Sequence, residues 1–121
     1  MKVTFTDREL DLMNVLWERG SATVPEMQQA LEGDPAYTTV STLLRILEEK
    51  GYVGHSLEGR FHRYHPQVER AAARSGALEY VMEKLFRGSP EALLNHFVSD
   101  ASLTKDQLRR ARALLEKKLE E

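Results

Sequence analysis

The 121-residue sequence predicts a mainly α fold with one small β-hairpin, and three observations carry that expectation. Apolar residues recur at helical spacing in segments opened by capping residues or closed by glycine. Two β-prone runs, Tyr52 to His55 and Phe61 to His65, flank a turn through Glu58-Gly59. Cysteine is absent, so stability must come from packing, and disulfides, thiolate nucleophiles and cysteine-based metal sites are excluded.

With 41% apolar and 30% charged residues, the chain suits one compact domain or a small domain with an appendage. Large barrels and doubly wound enzymes are out. No apolar run of membrane-spanning length occurs and Met1 to Asp7 lack an apolar signal core, so the chain is expected in the cytoplasm, without membrane insertion. The formal net charge of −2 offers phosphate no general attraction, which makes the distribution decisive. Up to Pro35, three basic residues (Lys2, Arg8, Arg19) stand against seven acidic ones, so broad DNA contact is not expected there. From Ala36 to His65 four basic residues face three acidic ones, and three of the four histidines lie there. The remainder is balanced.

Thr6 with Glu9 is a capping box that starts the first helix; Leu10, Met13, Leu16 and Trp17 form its apolar stripe, and Gly20 ends it. Thr23 with Glu26 repeats the signature, with Pro25 tolerated in the first turn, and a short second helix is expected to end near Gly33. Asp34-Pro35 breaks the chain. A third helix from Thr38 buries Val40, Leu43, Leu44 and Leu47 and is capped by Gly51. A long helix should then run from after Pro66 to about Arg87, with Leu78, Val81, Met82, Leu85 and Phe86 on one stripe and Gly88 as its end. Ser89-Pro90 opens a fifth helix carrying Leu93, Leu94, Phe97 and Val98, and Thr104 with Gln107 caps a last one carrying Leu108, Ala111, Leu115 and Leu119.

Three helices followed by a hairpin within about 65 residues is the order of a winged helix-turn-helix, whose third helix turns one face to the core and the other to a major groove. The outward positions here are Thr38, Thr39, Ser41, Thr42 and Arg45. Small hydroxyls let a helix approach the groove wall, and one long cation reaches a guanine edge or a phosphate. An ordinary solvated face would carry Glu, Lys and Gln, which favour helix more, yet composition alone leaves both readings open. Glu49, four residues beyond Arg45, is placed to hold its guanidinium in the free protein. Arg60 and Arg63 flank the hairpin tip, Arg60 being the favoured phosphate contact. Alternation sets Phe61, Arg63 and His65 on one strand face and His62 and Tyr64 on the other.

The expected division is a DNA-binding domain over 1–66 and a helical dimerisation domain over 67–121. The three C-terminal helices can bury little alone, so their stripes call for a partner, and a second copy is the simplest one. The dimer seam is expected at Leu78, Val81, Met82, Leu85, Phe86, Leu94, Phe97, Leu108 and Leu115.

Leu10 to Trp17, the run Thr38 to Val53, the wing Gly59-Arg60-Phe61-His62-Arg63-Tyr64 and the stretch Leu85 to Phe97 together resemble the BlaI/MecI/CopY penicillinase-repressor family, nearly end to end. The resemblance implies a homodimeric transcriptional repressor whose C-terminal helices pair and whose winged domains read a palindromic double-stranded DNA operator. It further implies, as partners, a membrane sensor metallopeptidase or its downstream protease, with inactivation by cleavage at an Asn-Phe bond. The matching bond here is His96-Phe97, with Asn95 one place earlier. The copper-responsive branch uses a C-terminal cysteine cluster that this chain lacks.

Other chemistries fail on particular residues. Gly54 to Phe61 has the glycines of a phosphate-binding loop, but Arg60 and Phe61 stand where Lys and Ser/Thr are needed. His62 and His65 point to opposite strand faces, and although His55 can join from the paired strand, polar wing residues explain all three, so neither metal nor cofactor is expected. No hydrolase or zinc-protease motif occurs, so the chain reads as non-enzymatic. Two alternatives stay open: a winged-helix protein-interaction module without DNA binding, and a DNA-binding regulator released by a small-molecule effector.

Overall fold

A computed structural model describes residues 4–100 and 102–121; Lys2, counted in the charge balance above, lies outside them. In chain order the elements are α1 (Asp7–Arg19), β1 (Ala22–Thr23), α2 (Val24–Ala30), α3 (Tyr37–Glu49), β2 (Val53–Glu58), β3 (Phe61–Pro66), α4 (Arg70–Phe86), α5 (Pro90–Asp100) and α6 (Lys105–Leu119). Among the described residues no helix is long and apolar enough to cross a membrane.

Side-chain capping explains where α1, α2 and α6 begin. At α1 the Thr6 hydroxyl accepts from the Glu9 amide at 3.2 Å and the Glu9 carboxylate accepts from the Thr6 amide at 2.8 Å. The same reciprocal pair opens α2 through Thr23 and Glu26, and α6 through Thr104 and Gln107. Gly20, at φ 86°, supplies the left-handed turn that stops α1. Two boundaries differ from expectation. α2 ends at Ala30 because Leu31 turns to extended backbone and packs against the core. α4 begins only at Arg70 because Val68 also packs against the core and gives its carbonyl to the Trp17 indole N–H at 2.9 Å.

The sheet has three antiparallel strands in the order β1-β3-β2, one more than the expected hairpin. β1 pairs Ala22 with Tyr64 and Thr23 with Arg63, while β2 runs along β3 from Val53 opposite Pro66 to Glu58 opposite Phe61. Two residues carry no periodicity, so β1 left no mark in the pattern.

Unit one runs through Leu78 and unit two is Glu79–Glu121, the division falling inside α4. The packing of unit one passes the expected boundary at residue 66, because Ala73 is buried with its core and the Arg70 guanidinium lies over the Trp17 ring at 5.5 Å. Met13, Leu16, Met27, Val40, Leu44 and Leu47 are completely enclosed. On α1 the buried face runs through Glu9, Leu12, Met13 and Leu16, and Leu10 is 39% exposed. A carboxylate therefore occupies a core position.

Glu9 is 1% exposed, and the Lys50 ammonium donates to both of its oxygens at 3.0 and 2.8 Å. Lys50 is the residue that closes α3, so this pair ties the start of α1 to the end of α3. Burial pushes the Glu9 carboxyl up, but the Lys50 ammonium and the Thr6 amide outweigh it and hold the group below the usual carboxylate range. A lowered folded-state pKa adds stability that is present above the unfolded value and is lost as pH falls through the folded value. Glu9→Gln should therefore cost about 1–3 kcal/mol at neutral pH, towards the lower end because Lys50 stays partly solvated. In urea denaturation the gap to wild type should close below about pH 4; a gap independent of pH would show that the charge is unimportant.

Candidate nucleic-acid interface

α3 is made from poor helix formers. Thr38, Thr39, Val40, Ser41 and Thr42 sit consecutively in its first half, and Ala36 supplies no side-chain cap. Burial holds the helix instead, since Val40, Leu44 and Leu47 are all 0% exposed. With that stripe sealed, the 3.6-residue period turns Thr38, Thr39, Thr42 and Arg45 outward, all exposed, with Ser41 half-buried at the margin. The expected Arg45–Glu49 pair does not form: among the described residues Arg45 makes no salt bridge.

The hairpin turn places Gly59, at φ 62°, first and Arg60 second between the paired ends Glu58 and Phe61. Arg60 is exposed and, among the described residues, makes no salt bridge. Arg63 departs from the expectation that groups it with Arg60. Its guanidinium donates to Glu58 at 2.6 Å, to both Glu26 oxygens at 3.0 and 3.1 Å, and to the Ser21 hydroxyl at 3.2 Å. Glu58 first and then Glu26 push its pKa up, and the Arg63 guanidinium and the Thr23 amide hold Glu26 below the usual carboxylate range. Arg63 thus braces β2 and β3 against the start of α2.

The register sets His55, Leu57, His62 and Tyr64 on one sheet face and Ser56, Glu58, Phe61 and Arg63 on the other, as strand alternation requires. On the first face the His55 ring Nδ1 lies 2.7 Å from a Glu48 oxygen, and the His55 and His62 rings stack at 4.2 Å. Glu48 is on α3, so this contact joins the wing to the helix. Tyr64 is buried, and burial followed by the charge of Glu48 pushes its phenol up. Among the described residues no group of three or more His, Asp or Glu side chains could hold a metal ion.

One neighbour of the hydroxyl face escaped the sequence reading. Arg8, from the first turn of α1, lines an open depression together with Thr38, Thr39, Thr42 and Leu43. It lies in the acidic stretch, where the balance of charge argued against contact with DNA, and no local signal distinguishes it.

Along α4, Val81, Met82 and Phe86 are half-buried whereas Leu78 and Leu85 are 53% and 74% exposed. α5 and α6 contain no buried residue. Leu94, Phe97, Leu108 and Leu115 stay exposed, as do Val98, Leu114 and Leu119, three residues that the expected seam does not include. His96 and Phe97 are exposed residues within α5; the His96 ring lies 5.7 Å from Phe86 and 3.0 Å from the Asp100 carboxylate. A peptidase that takes extended backbone would need this helix to unwind locally.

The family model described as penicillinase repressor matches residues 5–117. The transcriptional regulator BlaI of Mycobacterium tuberculosis is 37% identical over 115 residues, covering 91% of this chain and 83% of that protein. The methicillin resistance regulatory protein MecI of Staphylococcus aureus is 25% identical over 114 residues, covering 91% of each chain. Among solved structures, monomeric Bacillus licheniformis BlaI in complex with the blaP half-operator aligns with a TM-score of 0.50 at 28% identity, covering 60% of this chain and 90% of that one. A family match over almost the whole length, with the elements in the order described, makes this chain a member of the penicillinase repressor family.

Proposed function

We propose that the protein is a non-enzymatic, homodimeric transcriptional repressor that lays α3 in the major groove of a palindromic operator and rests its wing on the neighbouring backbone. The single observation that carries the reading is the exposed row of Thr38, Thr39, Thr42 and Arg45 behind which Val40, Leu44 and Leu47 are sealed. Short hydroxyl side chains permit close approach, and Arg45, which makes no salt bridge among the described residues, has five donors for a base edge or phosphate. The half-operator complex of the Bacillus licheniformis relative supports operator DNA as the partner. Arg60 takes the phosphate beside the wing, and Arg63 holds the wing in position. The apolar faces of α4, α5 and α6 support pairing with a second copy, because exposed leucines and phenylalanine at this density are covered in working proteins. Residues 1–66 then supply the DNA contacts and residues 67–121 the pairing.

Arg45→Ala should lose about 1–3 kcal/mol on the sequence that the wild-type protein selects from a random duplex pool, and much less on scrambled duplex. Equal loss on both in fluorescence anisotropy would make Arg45 a phosphate contact. Arg63→Ala should speed amide hydrogen exchange at the hairpin tip while α2, whose capping box survives, stays protected; equal exchange gains in both segments would argue against a brace. Phe97→Asp or Leu115→Asp should convert dimers to monomers in sedimentation velocity, since each charge would be buried at the seam. A variant that sediments as the wild-type dimer removes that position from the interface.

A further inference from the structure

A helix that reads a major groove lies between two phosphate walls, and contacts to both walls fix its register. On α3 the helical period sends Ser41 and Glu48 toward the wing, where Glu48 meets His55 at 2.7 Å. It sends Thr39 and Leu43 the other way, toward α1. On that second flank Arg8 shares an open depression of about 380 Å³ with Thr38, Thr39, Thr42 and Leu43. Asp11 and Glu32 line a narrower crevice with Arg8, yet among the described residues neither forms a salt bridge with it. Among the described residues its guanidinium forms no salt bridge at all, and it stands as an exposed cation beside the hydroxyl row.

We infer that Arg8 binds a backbone phosphate on the wall of the groove opposite the wing, so that Arg8 and Arg60 clamp the duplex from the two sides of α3. This rests on the reading that α3 enters the groove. The contact positions the protein and carries no base information, and the acidic surroundings confine it to a single phosphate. Arg8 is exposed on the first turn of a helix whose capping box uses Thr6 and Glu9, so its removal leaves the fold standing.

The test uses the full chain and two labelled short duplexes, one of the sequence selected by the wild-type protein and one scrambled. Arg8→Ala should lose about tenfold at about 0.1 M salt on both duplexes, and the log–log salt slope should shrink by about 0.9, the release of one phosphate's counterion. Arg8→Lys should keep the slope. Wild-type binding with an unchanged affinity and slope in Arg8→Ala overturns this inference alone. Loss confined to the selected duplex overturns it in favour of a base contact. Failure of the wild-type protein to bind any duplex overturns the groove reading together with it.

Discussion

Burial of the α3 stripe is the constraint on which the rest depends. Val40, Leu44 and Leu47 are completely enclosed by α1, α2 and the sheet, and each such side chain contributes on the order of 1.5–3 kcal/mol when removed from water. That exceeds the helix propensity lost by a run of threonine, serine and valine, which costs several tenths of a kcal/mol per residue. The core therefore sustains a helix that its own sequence would not, and leaves the opposite face free to be chosen for contact rather than for stability.

Charge is divided between internal and external work. Glu9 and Lys50 join α1 to the end of α3, and Arg63 draws Glu58 and Glu26 together so that the wing stands at a set place against α2. These arginine and lysine groups are occupied by carboxylates close at hand. Arg8, Arg45 and Arg60 are exposed and without salt bridges among the described residues, and they are spread from α1 across α3 to the wing tip. A chain of net charge −2 can thereby present cations where a duplex would lie, because affinity for phosphate follows local arrangement.

The C-terminal helices show a different balance. Thr104 with Gln107 and Ser89 with its acceptance from the Ala92 amide give α6 and α5 sound starts, but neither helix finds a buried face. Helices of 11 and 15 residues are marginal in water unless an apolar face is covered. Their leucines are thus apolar surface left uncovered within the described chain, which is the ground for the proposed pairing with a second copy.

What the sequence determined by itself is local. The capping boxes at Thr6, Thr23 and Thr104 and the glycine stop at Gly20 arise from contacts within a few residues, and the two-residue period of the wing and the 3.6-residue period of α3 are written in the spacing, so the sequence alone reveals them. The tertiary structure alone decided that Glu9 is a core residue, that Arg63 is spent on Glu26, that β1 completes the sheet, and that Arg8 borders Thr39. The Glu9–Lys50 and Arg63–Glu26 partners are 41 and 37 residues apart. A pairing over such separations leaves no period in the chain: it exists only once hydrophobic packing has brought the elements together, and the charge pattern of an isolated segment cannot anticipate it.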